Sequence, residues 1–140
     1  MSRSGECALF VYGTLRDSAV QEALFGRTIE GEAAILRGWA LYCSDSDGFL
    51  FVKPNRLDSV CGSVLRLSAS ELEIADAWED LPLYRRERVH VTIGSRVNNV
   101  WLYTRRDGVG PRHDSSSHSG HNRADVVDWA RRVGSRMDVN

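Results

Sequence analysis

The chain has 140 residues, of which 42% are hydrophobic, and this size and apolar content predict a single globular domain spanning residues 1–140. Its formal net charge is −1 and the charged residues are interspersed, which excludes the broad basic surface that non-specific nucleic-acid binding requires. No apolar run approaches the roughly 18 residues that cross a bilayer, and the polar start is not a secretory signal, so we expect a soluble cytoplasmic protein.

The first predicted element is a buried strand that begins near Leu9 and ends at Tyr12. Its residues are apolar β-formers, and Gly13 follows directly as a turn residue. Gly13 has no side chain to cover its peptide, so the amides of Gly13, Thr14 and Leu15 can donate hydrogen bonds to an anion. The turn is a candidate ligand site, although an ordinary strand-to-helix turn explains the same residues equally well.

A short helix and a long strand follow this turn. Asp17 or Ser18 can cap the helix, and Gly26 is a suitable residue to end it. Residues 29–42 then predict one long or twice-bent strand with Gly38 at a bulge.

Two shorter strands are expected in the middle of the chain. Residues 44–48 are of the types that favour a turn. Residues 49–52 predict the strand that follows, and Pro54 is expected to end it. Residues 60–67 predict the next strand, in which Gly62 permits a close backbone approach or a bulge. Short strands, tight turns and one helix favour a curved sheet or small barrel over a doubly wound fold.

A second helix has a clear start signal, because Ser68 and Glu71 have the spacing of a capping box. Apolar side chains then recur at helical spacing as far as Trp78. Most acidic residues of this helix are expected to form a solvated face. Glu79 differs in position, since it lies at the helix end, beside Trp78 and just ahead of residues 81–83, where the chain must leave the helix.

The alternation of residues 84–93 predicts a further strand, followed by a turn region at 94–99 and a strand at 100–103. Arg85 and Arg86 begin the first of these strands. Paired arginines in this position are more often partners in surface ion pairs than ligands of an anion.

The C-terminal part predicts a mobile loop near residues 107–121, rich in glycine and serine, and a helix near residues 123–137. Asn122 can cap this helix, whose apolar stripe is expected to pack on the sheet. The histidines in or just after the loop match no tight metal-ligand motif, so no metal site is predicted. They are His113, His118 and His121.

The cysteines are Cys7, Cys43 and Cys61. Their odd number and wide spacing argue against a disulfide framework and a structural zinc site, so we expect buried thiols in a reducing compartment. One alternative uses Cys61 with His90 in an amide hydrolase of another mechanism. That alternative predicts inactivation by a thiol reagent.

Two motifs in order resemble the γ-glutamylcyclotransferase-like superfamily. The first is Phe-Val-Tyr-Gly-Thr-Leu-Arg at residues 10–16, and the second is Ala-Asp-Ala-Trp-Glu-Asp at residues 75–80, followed by Tyr84-Arg85-Arg86. The likeness covers roughly residues 8–103. The motifs of phosphate loops, dinucleotide folds and serine hydrolases are absent from the sequence.

The resemblance implies an α+β fold in which helices flank a compact, curved or barrel-like mixed β-sheet. It also implies conversion of a γ-glutamyl amide into 5-oxoproline and a free amine without a cofactor. By the same resemblance Glu79 is the catalytic acid/base. The residues implied to bind substrate are Tyr12, Gly13, Thr14 and Leu15 in the loop that holds the glutamyl head group, and the pocket tyrosines Tyr84 and Tyr103.

This chemistry suits the residue types. A γ-glutamyl group contains its own nucleophile, the α-amine, so the protein must mainly bring that amine to about 3–3.5 Å from the γ-carbonyl carbon. Glu79 can move the required proton if Trp78, Leu81 or other apolar groups desolvate it and raise its pKa. The alternative is a non-catalytic binding or regulatory module on the same scaffold. A monomer or homodimer is expected, whose partner is a small γ-glutamyl amide and neither a nucleic acid nor a membrane.

Overall fold

Five strands close into a barrel with helices packed on its outside. The computed structural model describes residues 6–79, 84–113 and 122–138. The elements in chain order are β1 (Cys7–Val11), α1 (Ser18–Phe25), β2 (Glu32–Cys43), β3 (Leu50–Leu67), α2 (Ala69–Trp78), β4 (Arg85–Ile93), β5 (Arg96–Thr104) and α3 (Arg123–Asp138). The strand order around the barrel is β1-β3-β2-β4-β5. The predicted α+β fold with a barrel-like mixed sheet is confirmed.

The barrel closes through the first and the last strand of the sheet. β1 pairs antiparallel with β3 and parallel with β5, where Leu9 lies opposite Trp101. The other strand pairs are antiparallel. Because of this closure, the end of β1 and the end of β5 lie side by side at one end of the barrel.

Alternate residues of the strands contribute to two apolar cores, because successive side chains point to opposite faces of a sheet. Phe10, Val64 and Leu102 belong to a cluster of almost entirely strand residues, which fills the barrel. Leu9 and Leu65 belong to a second cluster that includes residues of all three helices. The layer of helices therefore lies on the outer side of β1 and β3.

The predicted helix starts are confirmed by their capping bonds. The Asp17 carboxylate accepts a hydrogen bond from the Ala19 amide at the start of α1, and Gly26 ends this helix with φ of 74°. Ser68 and Glu71 form a complete capping box at the start of α2. Asn122 caps α3 in the same way as Asp17 caps α1.

α3 packs mainly against α1 and not on the sheet, so this part of the prediction was wrong. A Cβ atom added at Gly134 would lie 2.5 Å from the carbonyl oxygen of Ala23, which shows that the two helix backbones are nearly in contact. Val126 and Ala130 join the core that already contains Val20 of α1. The apolar stripe of α3 therefore covers a helix that itself covers the barrel.

β3 is one strand of 18 residues, so the predicted break at Pro54 was wrong. The β2 residues on either side of Gly38 pair with Pro54 and Ser59. Residues 55–58 therefore lie opposite Gly38 as a wide bulge, and the φ of 86° at Gly38 confirms the predicted irregularity of β2. Proline cannot donate a backbone hydrogen bond to a neighbouring strand. It is tolerated beside a bulge because the regular hydrogen bonding between the strands is already interrupted there.

The hairpin between β4 and β5 is tighter than predicted. Ile93 pairs with Arg96, so the turn consists of Gly94 and Ser95 instead of residues 94–99. Gly94 has φ of 61°, which suits a two-residue hairpin turn. β5 consequently begins four residues earlier than expected.

The first part of the predicted loop lies along the end of β2. The Cys43 amide donates to the Pro111 carbonyl at 3.0 Å, and the His113 amide donates to the Leu41 carbonyl at 2.9 Å. The rest of the predicted mobile loop, residues 114–121, lies outside the described residues and includes two of the histidines considered above. Among the described helices, none is long and apolar enough to cross a membrane.

None of the three cysteine side chains is buried. Cys61 is exposed, and Cys7 and Cys43 are half-buried. The prediction of buried thiols was therefore wrong. Cys61 lies between the buried residues Val60 and Gly62 of β3, so the alternation of the strand directs it outwards.

Candidate active site

The turn after β1 begins with three backbone amides that make no hydrogen bond within the turn. Residues Thr14–Arg16 form a single 3-10 turn, in which the Arg16 amide donates to the Gly13 carbonyl at 3.0 Å. The amides of Gly13, Thr14 and Leu15 precede this first donor, so the turn itself does not use them. Among the described residues, a Cβ atom added at Gly13 would have Leu50 Cβ as its nearest neighbour, at 3.8 Å. An added Cβ atom would therefore make only an ordinary van der Waals contact there.

The C-terminal end of α2 is hydrogen-bonded to the same turn. The Trp78 indole nitrogen donates to the Thr14 hydroxyl oxygen at 2.9 Å. Glu79 is the next residue and ends the helix, with its amide bound to the Ala75 carbonyl. The capping box fixes where α2 begins, and the indole bond fixes where its end meets the turn.

Replacing Trp78 with phenylalanine is expected to lower kcat/KM by about fivefold, since one hydrogen bond contributes about 1 kcal/mol. Thr14→Val removes the acceptor of the same bond and should cause a similar loss. If the bond positions the helix end, the double variant loses no more than either single variant. Losses that multiply in the double variant would show that the two side chains act separately.

Three buried tyrosines surround the helix end, and each hydroxyl group donates to a protein acceptor. Tyr12 donates to the Tyr103 carbonyl at 2.8 Å, and Tyr84 donates to the Leu50 carbonyl at 2.8 Å. The Tyr103 hydroxyl donates to the Asp76 carboxylate at 2.6 Å. Because their protons are already used, the hydroxyl oxygens can offer only lone pairs to a ligand. Their environment favours a ligand that donates N–H groups.

Glu79 has the electrostatic properties of an acid/base. Burial, and then the negative charge of Asp76, raise the pKa of Glu79 to about 8. The residue keeps partial exposure, so protein encloses it while solvent still reaches it. Burial also raises the pKa of Tyr12, Tyr84 and Tyr103, with the charge of Glu79 contributing in each case. Glu79 therefore lies within electrostatic reach of all three tyrosines.

Asp76 and Arg86 join this cluster, and the sequence analysis assigned neither of them to the site. Arg86 Nη1 contacts both carboxylate oxygens of Asp76, at 2.7 and 2.9 Å. The prediction that Arg86 forms an ion pair is confirmed, whereas Asp76 is not part of a purely solvated face. The spacing of three residues between Asp76 and Glu79 was the available clue, since it places both acids on one side of the helix.

Arg105 anchors the turn after β2 beside the tyrosines. Its guanidinium is buried, donates to Asp47 at 2.7 Å and lies 5.6 Å from the ring centre of Tyr84. The Asp47 and Tyr84 contacts hold residues 44–48 against the cluster. No sequence pattern indicated this role, because Arg105 and Asp47 are 58 residues apart.

The alternative site of Cys61 with His90 is excluded by the strand order. β2 lies between β3 and β4, with Ile35 opposite both Cys61 and Thr92. Adjacent strands are about 4.8 Å apart, so the strands that carry Cys61 and His90 are separated by about 10 Å. A thiol and an imidazole at that distance cannot form a nucleophile and base pair. The described residues also contain no group of three or more metal-binding side chains.

A protein-family model described as gamma-glutamyl cyclotransferase, AIG2-like, matches residues 9–131. The chain belongs to this family. A search of curated proteins finds no match. The family model covers both motifs that carried the resemblance, together with most of α3.

Solved structures with the same fold include members of this family. A protein from Arabidopsis thaliana, solved in solution, has a TM-score of 0.70 and 24% identity, and the match covers 97% of this chain and 88% of that chain. A gamma-glutamyl cyclotransferase has a TM-score of 0.67 and 13% identity, with coverage of 96% and 87%. An AIG2-like protein from Mus musculus has a TM-score of 0.67 and 16% identity, with coverage of 84% and 97%. At these identities the similarity demonstrates the fold.

Proposed function

We infer that the chain cyclises a γ-glutamyl amide to 5-oxoproline and releases the free amine. Its membership of the γ-glutamyl cyclotransferase family supports this reaction class. The single observation that supports it most is the hydrogen bond from Trp78 to Thr14, because it joins the residue before Glu79 to the turn whose first three amides make no hydrogen bond within it. An acid/base and an anion cradle are the two parts that the reaction requires.

In this proposal the turn binds the α-carboxylate of the substrate. The amides of Gly13, Thr14 and Leu15 are suited to charge-assisted hydrogen bonds with a carboxylate. Gly13 has no side chain, and no described atom crowds an added Cβ there, which supports a close approach of the ligand to the backbone. The α-carboxylate then fixes one end of the glutamyl unit.

The α-ammonium group is received by Glu79 and the lone pairs of the tyrosine hydroxyls. Tyr12, Tyr84 and Tyr103 each donate their own proton to the protein, which leaves their oxygens as acceptors. A cation beside these groups also favours the ionised form of Glu79. Substrate binding thereby prepares Glu79 to accept a proton.

The reaction is an exchange of one C–N bond for another. After losing a proton to Glu79, the α-amine attacks the γ-carbonyl carbon and forms the ring C–N bond. The bond to the departing amine breaks as Glu79 returns the proton to that amine, and the ring nitrogen gives up its second proton, which leaves with the departing amine as an ammonium ion. The pKa of about 8 at Glu79 is close to that of an α-amino group, about 7.7–8.0, so proton transfer between them has a small energetic cost.

The pH dependence follows from this single shared proton. We expect kcat/KM to be bell-shaped with a maximum near pH 8, falling about tenfold per pH unit on each side. At lower pH both the amine and Glu79 carry protons, and at higher pH neither has one to give to the leaving group. Initial rates between pH 5.5 and 10 measure this profile. A flat profile from pH 6 to pH 9 would contradict the assignment.

The direct test is a panel of γ-glutamyl compounds: a γ-glutamyl amino acid, a γ-glutamyl-lysine isopeptide and a γ-glutamyl-protected amine. Release of 5-oxoproline is measured by liquid chromatography and mass spectrometry. The Glu79→Gln variant, purified identically, controls for contaminating enzymes. Binding of these compounds without 5-oxoproline release by the wild-type chain would instead identify a non-catalytic module.

A further inference from the structure

We propose that Asp76 is a positioning residue: held between Tyr103 and Arg86, it fixes the last turn of α2 and controls proton exchange at Glu79 through its charge. The inference rests on the proposed function for the role of Glu79. The contacts of Asp76 themselves are independent of that function.

Asp76 and Glu79 lie on the same side of α2. They are three residues apart, which on a helix makes their side chains neighbours. The Glu79 amide is bound to the Ala75 carbonyl, so the helical geometry continues to Glu79. A displacement of Asp76 therefore changes where Glu79 points.

Asp76 is held by partners from two different strands. Its Oδ1 atom accepts hydrogen bonds from the Tyr103 hydroxyl of β5 at 2.6 Å and from Arg86 Nη1 of β4 at 2.9 Å. Arg86 Nη1 also contacts Oδ2 at 2.7 Å. Short hydrogen bonds to a charged group are the stronger kind. The helix end is thus fixed to the barrel wall.

The same contacts connect Asp76 with the turn after β1. The Tyr103 carbonyl oxygen accepts a hydrogen bond from the Tyr12 hydroxyl, and the Tyr103 hydroxyl donates a hydrogen bond to Asp76. Tyr12 directly precedes Gly13. Together with the bond from Trp78 to Thr14, this gives the end of α2 two separate connections to the turn. Asp76 therefore helps to set the distance between the acid and the amides.

The charge of Asp76 acts on Glu79 as well as its position. Among the residues that the structure describes, the ionisable groups coupled to Glu79 are Asp76 on α2, Tyr12 after β1, Tyr84 before β4 and Tyr103 on β5. Of these, Asp76 is the group whose charge raises the pKa of Glu79 in addition to burial. Arg86 contacts the Asp76 carboxylate, and its positive charge compensates part of that negative charge.

The geometry of the ion pair leaves much of this charge effective. Arg86 uses Nη1 alone for both oxygens of Asp76. Its Nε atom is buried, and among the described residues it has no hydrogen-bond partner. A fork of two nitrogen donors would compensate the carboxylate more fully. The end-on contact holds Asp76 in place and neutralises it less.

The test uses the Asp76→Asn variant. The asparagine side chain carries no charge, but its amide oxygen can still accept hydrogen bonds from Tyr103 and Arg86. The Glu79 carboxyl carbon is followed by ¹³C NMR across pH, with Glu79→Gln providing the assignment. The titration midpoint is expected to fall by about one pH unit, and the acid limb of kcat/KM should move with it. Glu73→Gln is the matched control, since it removes a negative charge from the exposed face of the same helix and should leave the midpoint unchanged.

Arg86→Gln provides the opposite change. It removes the compensating cation, so the Glu79 midpoint is expected to rise instead of fall. If Asp76 and Arg86 were only a structural ion pair, both variants would lower the melting temperature and leave the midpoint in place, which would overturn the proposal. The NMR titration needs no substrate. If the chain releases no 5-oxoproline, the proposed function is refuted. The NMR titration still tests the role of Asp76 in that case.

Discussion

Glu79→Gln is expected to reduce kcat by about a thousandfold and to leave the fold intact. General acid/base catalysis typically contributes about 10² to 10⁴ in rate, and glutamine keeps the size of the side chain while losing the proton transfer. Steady-state 5-oxoproline release from the best substrate of the panel measures this loss. Retention of near-native kcat would remove Glu79 from the mechanism, whatever happens to KM.

The same substitution should stabilise the protein at high pH. Folded Glu79 stays protonated up to about pH 8, whereas in the unfolded chain its pKa returns to 4.5. Unfolding between these pH values releases a proton, so the free energy of unfolding of the wild type falls as pH rises, by up to about 1.4 kcal/mol per pH unit. Glutamine does not ionise and avoids this loss.

We therefore expect Glu79→Gln to be more stable than the wild type at pH 9 by about 2 to 4 kcal/mol, the partial solvent access of Glu79 reducing the full effect. At pH 4 the difference should nearly vanish, because the carboxyl group is then protonated in the folded state and largely so in the unfolded chain. Urea denaturation at the two pH values measures the change. An equal stability difference at both would show that the carboxyl group of Glu79 is not desolvated.

Gly62→Ala is expected to destabilise the protein by about 3 kcal/mol or more. The added Cβ atom would lie 2.3 Å from the Val11 carbonyl oxygen and 2.7 Å from Phe10 Cζ. The obstacle is backbone, which cannot rotate away as a side chain can. Because Val11 leads into Tyr12 and the turn, the residual folded protein should also lose kcat/KM.

Gly26→Ala is the matched control for this substitution. Gly26 has φ of 74° and no atom within 4 Å of an added Cβ, so its cost is limited to backbone strain of about 1 kcal/mol. Thermal and urea denaturation compare the two variants. If Gly62→Ala lowered the free energy of unfolding no more than Gly26→Ala does, the close contact between β1 and β3 at Gly62 would be contradicted.

Local signals explain which parts of the fold were predictable. The capping box of Ser68 and Glu71, the glycine at the end of α1 and the bulge at Gly38 each depend on residues close together in the chain. The break predicted at Pro54 failed because the consequence of a proline depends on the neighbouring strand. Here that strand has its own irregularity at Gly38, and a bulge accommodates both.

The candidate site was predictable only in part, for the same reason. Glu79 and the turn at Gly13 appear in motifs that can be read along the chain. The partners of Asp76 are separated from it by 10 and 27 residues, and a charged residue on a helix is normally solvated. Only the barrel brings Arg86 and Tyr103 to the same carboxylate.

The pairing of β1 with β5 has a consequence for biosynthesis. Tyr12 and Tyr103, which contact each other beside this closing pair, are 91 residues apart. The entropic cost of bringing such distant segments together must be met before the contact stabilises anything. During translation the glycine turn leaves the ribosome early, but its partners from β5 are made only after most of the chain has been synthesised. We therefore expect the candidate site to mature only after β5 has been synthesised, and an N-terminal fragment without β5 to be inactive.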